Sequence, residues 1–243
     1  MPTRTLFQVA RTQSVRTAGI PFPLGRERAG NDDRASAVLA AELALKRCMD
    51  VGIALLAIIL LAPLMLAIAA LIRGSDGGPA LFRQARIGRG SRHFYCWKFR
   101  SMVVDAEAAL ANHLAARPEA AREWAETQKL AHDPRVTRLG EFLRKSSLDE
   151  LPQLFNVLVG EMSLVGPRPI VPAECERYGD DLKFYLAARP GITGLWQVSG
   201  RSDCSYPERV ALDVAYAKDW RLAADIVILV RTVPAVLTGR GSR

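Results

Sequence analysis

Residues 1–40 scatter Arg, Thr, Gly and Pro among isolated apolar positions, with neither helical nor strand periodicity, and read as a disordered basic tail. No continuous apolar region opens the chain, so no secretory signal is expected. The pattern then changes abruptly. Residues 48–72, "CMDVGIALLAIILLAPLMLAIAALI", carry a single charge, Asp50, and are long enough to span a bilayer. Lys46 and Arg47 precede this run, and Arg73, Arg83, Arg86, Arg89 and Arg92 follow it. Basic flanks on both sides favour a cytoplasmic position for both ends, and Pro63 near the middle withdraws a backbone donor. Together they predict a hairpin that enters and leaves on one membrane face, with a straight span kinked at Pro63 as the alternative.

Beyond the turn-rich "SDGGP", the patterns are shorter. Segments around Phe82 and from Phe94 to Phe99 read as strands separated by a Gly88/Gly90 loop. Residues 103–130 are helical by composition, interrupted at Pro118. "HDPRVTRLGEFLRK" predicts a turn and a short basic helix, and "YPERVALDVAYAKDW" a helix with Pro207 in its first turn. "LAADIVILVRTVPAVL" is an amphipathic segment expected to break near Pro234 and to lie on the core or in the membrane interface.

The 243 residues carry a net charge of +8, which points to an anionic partner: nucleic acid, a phosphorylated metabolite or lipid headgroups. No nucleic-acid-binding motif accompanies the charge, so nucleic acid is not an expected partner. Cys48, Cys96, Cys175 and Cys204 lack metal or redox spacing, which suits a reducing cytoplasm. The histidines are equally dispersed, and imidazole metal ligation is not expected.

Candidate chemistry concentrates in "SLDELPQLFNVLVGEMSLVGPRP", residues 147–169. Ser147-x-x-Glu150 fits a capping box, with Asp149 as a favourable first-turn charge. Pro152 then falls where its missing N–H costs a helical bond, unless the helix starts later. By spacing alone, capping and catalysis are equally served. The surroundings favour catalysis. Arg144 lies about one and a half helical turns upstream of Asp149. Arg168 stands between two prolines that stiffen its presentation, and "KFR" places Lys98 and Arg100 on one face by strand alternation. Carboxylates beside a basic, phosphate-binding cluster imply phosphoryl chemistry, one as nucleophile and the other holding a divalent cation.

"KFRSM", "LRKSSLDELPQLFNVLVGEMSLVGPRP" and "RPGITGLWQVSGR", in this order after a Pro-broken apolar segment, resemble the bacterial sugar transferase family, the monotopic phosphoglycosyl transferases. Within it the pattern looks closest to undecaprenyl-phosphate galactose phosphotransferases of exopolysaccharide assembly, in a short form without the multi-span N-terminal region of some relatives. The resemblance runs from about Lys46 to the C-terminus. It implies an α+β fold: a small membrane-associated catalytic domain with an N-terminal re-entrant helix hairpin, short strands and interfacial amphipathic helices. The domains expected are a tail, 1–40, and a phosphoglycosyl transferase domain, 41–243, with the re-entrant helix at 46–73 and the cytoplasmic catalytic part at 74–243.

By the same resemblance, Asp149 would attack the sugar-bearing phosphate of a UDP-hexose, releasing UMP and leaving a phosphosugar–aspartyl intermediate. Undecaprenyl phosphate would then take the sugar phosphate from it. Glu150 would bind Mg²⁺, and Arg144 and Arg168 would bind phosphate, with Lys98, Arg100 and Arg201 as further phosphate-binding candidates. Gln153 and Asn156, about one helical turn apart, serve equally as structural glue or site residues. Lys46 and Arg47, with Pro63, would form the lipid interface, holding either lipid phosphates or any anionic lipid. Ala62 stands where the family usually has Ser, which leaves more of the bending to Pro63. The expected place is the cytoplasmic face of a bacterial inner membrane, in contact with membrane lipids, with a homodimer compatible. Galactose is the preferred hexose and glucose the alternative. A basic, non-enzymatic membrane scaffold of a polysaccharide assembly complex is the rival reading.

Overall fold

The computed structural model describes residues 33–127, 130–200 and 204–237. Its first element, α1 (Asp33–Asp76), is a single helix of 44 residues. Within it, Ala37–Asp76 is long and apolar enough to cross a membrane. The helix starts inside the stretch read as tail, because the Ala- and Leu-rich residues after Asp33 are good helix formers. The rest of that tail lies outside the described residues. The hairpin expected at Pro63 does not appear as two helices: α1 runs through Pro63 as one element. Proline removes one donor, whereas the Leu- and Ala-rich turns on both sides keep their own hydrogen bonds.

Polar contacts tie the start of α1 to the domain. Asp50, 2% exposed, accepts from Ser163 Oγ at 2.8 Å and from the Leu164 N–H at 3.1 Å. Lys46 Nζ lies 2.7 Å from the fully buried Asp225 and 3.5 Å from Asp50. Arg47 donates to the carbonyls of Val157 at 2.7 Å and Leu158 at 2.8 Å. The sequence offered Lys46 and Arg47 to lipid phosphates or to any anionic lipid; the structure turns both inward. Buried carboxylates require a cation, and the last carbonyls of a helix lack intrahelical donors, so these internal partners hold the two side chains.

Both halves of α1 rest on the same body. Ala54, before Pro63, joins a core with Leu154, Val157 and Leu164; Ile68 and Ile72, after it, pack with Phe99 and Leu143. Between these anchors Leu55, Leu56, Ile59, Leu60, Leu64 and Leu66 remain exposed. A contiguous apolar stretch of this kind marks an interaction surface.

The expected strands form an antiparallel hairpin, β1 (Leu81–Ile87) with β2 (His93–Phe99), in which Phe82 faces Lys98. The interrupted helical region becomes α2 (Ala106–Ala116) and α3 (Pro118–Thr127), followed by α4 (Arg138–Lys145). Thr137 caps α4 by accepting from the Gly140 N–H. A Cβ at Gly140 would come within 1.9 Å of the Ser101 carbonyl oxygen, so only glycine lets α4 approach the segment after β2 this closely. A short 3-10 turn (Leu148–Glu150) leads to α5 (Gln153–Val159) and β3 (Ser163–Val165), which pairs in parallel with β4 (Gly191–Thr193). Between the paired strands run a longer 3-10 segment (Pro172–Asp181) and α6 (Leu182–Ala187); α7 (Leu195–Ser199) follows β4.

Helix α8 (Tyr206–Lys218) opens on a capping box, Ser205 with Glu208, and has Pro207 in its first turn as expected. Helix α9 (Leu222–Leu237) continues through Pro234 and does not break there. Its Ile226, Val227, Val230 and Val233 are exposed while Ile228 is buried, which is the predicted amphipathic division.

Candidate active site

The capping-box alternative for Ser147 fails on geometry. Ser147 has φ 57°, in the left-handed region, and makes no side-chain cap bond. Helix α5 begins only after Pro152, whose missing N–H therefore costs no helical bond. The left-handed residue bends the chain sharply between α4 and the 3-10 turn, a conformation that costs a non-glycine residue roughly 1–2 kcal/mol. That bend turns the acidic pair toward β2. Lys98 Nζ lies 2.5 Å from Glu150 Oε1 and 3.9 Å from Asp149 Oδ2.

Asp149 is 8% exposed. Burial, the largest influence, pushes its carboxyl up to about 6; the neighbouring Glu150 adds to the rise, and Lys98 and Arg144 oppose it. At Glu150, burial also acts to raise, but the Lys98 ammonium and the Arg168 guanidinium outweigh it and hold the group below the ordinary carboxylate range. Adjacent carboxylates are thus driven in opposite directions, the pattern found where titratable groups share a functional site. If ionised Asp149 acts as a nucleophile, the donor half-reaction rises with pH through about 6 and falls below it. A pH profile of single-turnover nucleotide release checks this; a flat profile between pH 5 and 7 contradicts it.

The pair opens onto a cleft of about 830 Å³ that Lys98, Arg144, Arg168 and Trp196 also line. Arg144 Nε donates to Ser101 Oγ at 2.8 Å, a contact that depends on the close α4 approach at Gly140. Arg168 sits over the Trp196 ring with its Cζ 5.7 Å from the centroid. Arg86 steadies the proline-flanked segment by donating to the Pro169 carbonyl at 3.0 Å, and Glu174 lies 3.8 Å from it. Ala57 and Leu61 of α1 reach the same cleft, so the cleft and the apolar helix are continuous.

The structure brings Asp149, Glu150, Lys98, Arg144 and Arg168 together. Arg100 is placed differently. Its guanidinium donates to both Asp76 carboxylate oxygens at 2.5 Å and, through Nε, to the Pro79 carbonyl at 2.7 Å. It closes the end of α1 onto the hairpin, so that although Arg100 lines the cleft, its guanidinium is already engaged by Asp76. Strand β2 stops at Phe99, so the alternation that joined Lys98 and Arg100 does not extend that far. Arg201 lies outside the described residues. Asn156, fully buried, donates to the Tyr95 carbonyl at 2.8 Å and accepts from the Trp97 N–H at 3.1 Å. It is structural glue between α5 and β2. Gln153, 3% exposed, lies in the first turn of the same helix.

Sequence reasoning gave no site role to Ser101, Glu174 or Trp196, and read Arg86 only as part of the basic flank. Ser101 and Trp196 stand inside quoted motifs, but their roles depend on contacts across the chain. No group of three or more His, Cys, Asp or Glu side chains among the described residues is arranged for a metal ion. The donor set at the cleft is the carboxylate pair.

Residues 41–239 match the family model for bacterial sugar transferases, and the chain belongs to that family. It is an enzyme of the transferase class, which sets aside the scaffold reading. The exopolysaccharide production protein ExoY of Rhizobium meliloti is 51% identical over 197 residues, covering 81% of this chain and 87% of that protein. The undecaprenyl-phosphate galactose phosphotransferase of Salmonella typhimurium is 51% identical over 198 residues, covering 82% of this chain but 41% of the relative, so the chain matches under half of that protein. The UDP-glucose:undecaprenyl-phosphate glucose-1-phosphate transferase of Caulobacter vibrioides is 43% identical over 201 residues, 79% of this chain and 70% of the relative.

Proposed function

We propose that this protein transfers hexose 1-phosphate from a UDP-hexose to undecaprenyl phosphate, releasing UMP, as the first membrane step of exopolysaccharide assembly. The observation that carries the reading is the buried Asp149 carboxylate facing a cleft shared with Lys98, Arg144 and Arg168. The relatives named for undecaprenyl-phosphate sugar transfer and exopolysaccharide production support the substrates. Galactose is favoured because the galactose-named Salmonella relative is 51% identical and the glucose-named Caulobacter one 43%.

In this reading an Asp149 oxygen attacks the sugar-linked phosphorus, and the bond to the bridging oxygen of UMP breaks. The electron pair leaves with UMP, and a phosphosugar–aspartyl ester remains. A phosphate oxygen of undecaprenyl phosphate then attacks the same phosphorus, returning Asp149 to its carboxylate and forming the lipid diphosphate sugar. Arg144 and Arg168 orient the donor phosphates, since guanidinium groups match paired phosphate oxygens. Glu150 fits a Mg²⁺ site: it is held ionised, and it already contacts a cationic group at one oxygen. Mg²⁺ commonly binds through one or two carboxylates plus substrate phosphates, and bound there it would compensate the charge that develops on the departing UMP.

The membrane part of the proposal is that α1 seats the domain on the cytoplasmic face from one side. Packing on both sides of Pro63 against one body, with an exposed apolar middle, supports one-sided seating over a crossing that separates the ends. A lipid-borne phosphate and a soluble nucleotide then meet at fixed depth, which lowers the entropic cost of their encounter.

The test is product identification with purified protein, undecaprenyl phosphate, Mg²⁺ and UDP-galactose or UDP-glucose in turn. UMP is expected with the true donor; UDP as product would make the enzyme a conventional glycosyltransferase. Excess chelator is expected to reduce the rate about 100-fold or more. Undiminished turnover there would remove Mg²⁺ from the mechanism.

A further inference from the structure

Lys98 occupies the place where a cation would meet Glu150. Its ammonium is 2.5 Å from Glu150 Oε1 and 3.9 Å from Asp149 Oδ2, and its side chain keeps 23% exposure toward the cleft. A Mg²⁺ ligated by a carboxylate stands about 2.0–2.1 Å from its oxygen. Ammonium and divalent cation cannot share Oε1 at these distances without direct repulsion of like charges.

The charge count of the cleft points the same way. Asp149 and Glu150 share the cleft lining with Lys98, Arg100, Arg144 and Arg168, so two acidic groups stand against four basic ones, of which Arg100 is paired with Asp76. A divalent ion entering alone would add to an excess of positive charge. A diphosphate entering with it brings the compensating negative charge and offers Lys98 new acceptors. Lysine suits such an exchange, because it is a point charge with rotatable donors on a flexible stem and lacks the fixed fork of arginine. Lys98 is also the penultimate residue of β2, whose backbone is anchored one position earlier through the Trp97 N–H to Asn156. The stem can reorient while the strand stays in place.

We propose that Lys98 holds the cation position at Glu150 in the free enzyme and yields it to a divalent metal only when the diphosphate of a nucleotide arrives. The inference rests on the Mg²⁺ reading above and adds an order to it: the metal binds with the nucleotide, not before it. Lys98 is then an exchange residue that couples the two ligands, and the coupling is reciprocal.

The experiment uses the full-length protein and Mn²⁺, with free Mn²⁺ followed by electron paramagnetic resonance. Titrations are run with and without UDP and corrected for the Mn²⁺–UDP complex in solution. Wild type is expected to bind Mn²⁺ weakly alone and at least about 10-fold more tightly with UDP, within the usual range of coupling between sites. Lys98→Met is expected to bind Mn²⁺ about 10-fold more tightly than wild type without nucleotide and to lose most of the UDP dependence. Lys98→Arg, which keeps the charge, is expected to retain weak binding in the free state. Lys98→Gln replaces Lys98→Met if the methionine variant does not fold. Equal Mn²⁺ affinity in wild type and Lys98→Met, with Glu150→Gln weakening both, overturns the exchange and leaves Glu150 as a metal ligand. Mn²⁺ binding that Glu150→Gln leaves untouched in either background overturns the metal reading, and the Lys98 role with it.

Discussion

Asp149→Asn protein is expected to release no UMP above background and to be more stable than wild type at pH 7. Loss of a covalent nucleophile costs on the order of 10⁴-fold in turnover or more. The stability gain follows from linkage. Burial raises the Asp149 carboxyl from the ordinary aspartate range to about 6, so the unfolded chain loses this proton at lower pH than the folded one. The penalty on the folded state builds as pH rises from about 4, reaches roughly 3 kcal/mol near pH 6, and stays level above that. Asparagine cannot ionise and removes the penalty without changing shape. The gain should therefore vanish near pH 4. Nucleotide release, intact mass for the phosphosugar adduct, and melting curves at pH 4.5 and 7 check this together. An Asp149 that served only as a favourable charge in the turn would leave activity little changed in the variant. Retained UMP release by the variant would end the nucleophile assignment.

Asn156→Leu is expected to be the most destabilising single change in the catalytic domain outside its apolar core. The side chain is fully buried, and its bonds to the Tyr95 carbonyl and the Trp97 N–H satisfy two backbone groups on β2. Its amide also donates to Glu161 at 2.6 Å. Leucine nearly matches the volume and leaves these partners unpaired, at roughly 1–3 kcal/mol for each buried group. The sum is about 3 kcal/mol or more, or about 6–12 °C in melting temperature for a domain of this size. Activity should fall too, because Trp97 adjoins Lys98 on β2. A loss below about 2 °C would mean that water replaces the amide and that Asn156 is not the joint between α5 and the hairpin.

Much of the fold was legible because its signals are local. Short aromatic segments split by the Gly88/Gly90 loop marked both strands of the hairpin, Pro207 marked the first turn of α8, and Pro118 separated α2 from α3. The long apolar run announced α1, but proline as a breaker was over-read at both Pro63 and Pro234. A single missing donor bends a helix; whether it ends one depends on what the neighbouring turns pack against.

The candidate site divides along the same line. Asp149, Glu150, Arg144 and Arg168 stood out because carboxylates and arginines crowd one segment, a property of residue type and spacing. Partner choice among charges was not legible. Lys46 and Arg47 looked like lipid contacts, and Arg100 like a phosphate ligand, until Asp225, the α5 carbonyls and Asp76 took them up. Those partners lie up to 179 positions away in the chain, between Lys46 and Asp225. Sequence alone determined the hairpin strands, most of the longer helices, the apolar helix and the chemistry of the acidic segment, because periodicity and residue type act over a few neighbours; the short β3, β4, α6 and α7 carry too few residues for such a signal. Only the tertiary structure decided which cations face the cleft, because a charge settles where burial has removed water from an opposite one.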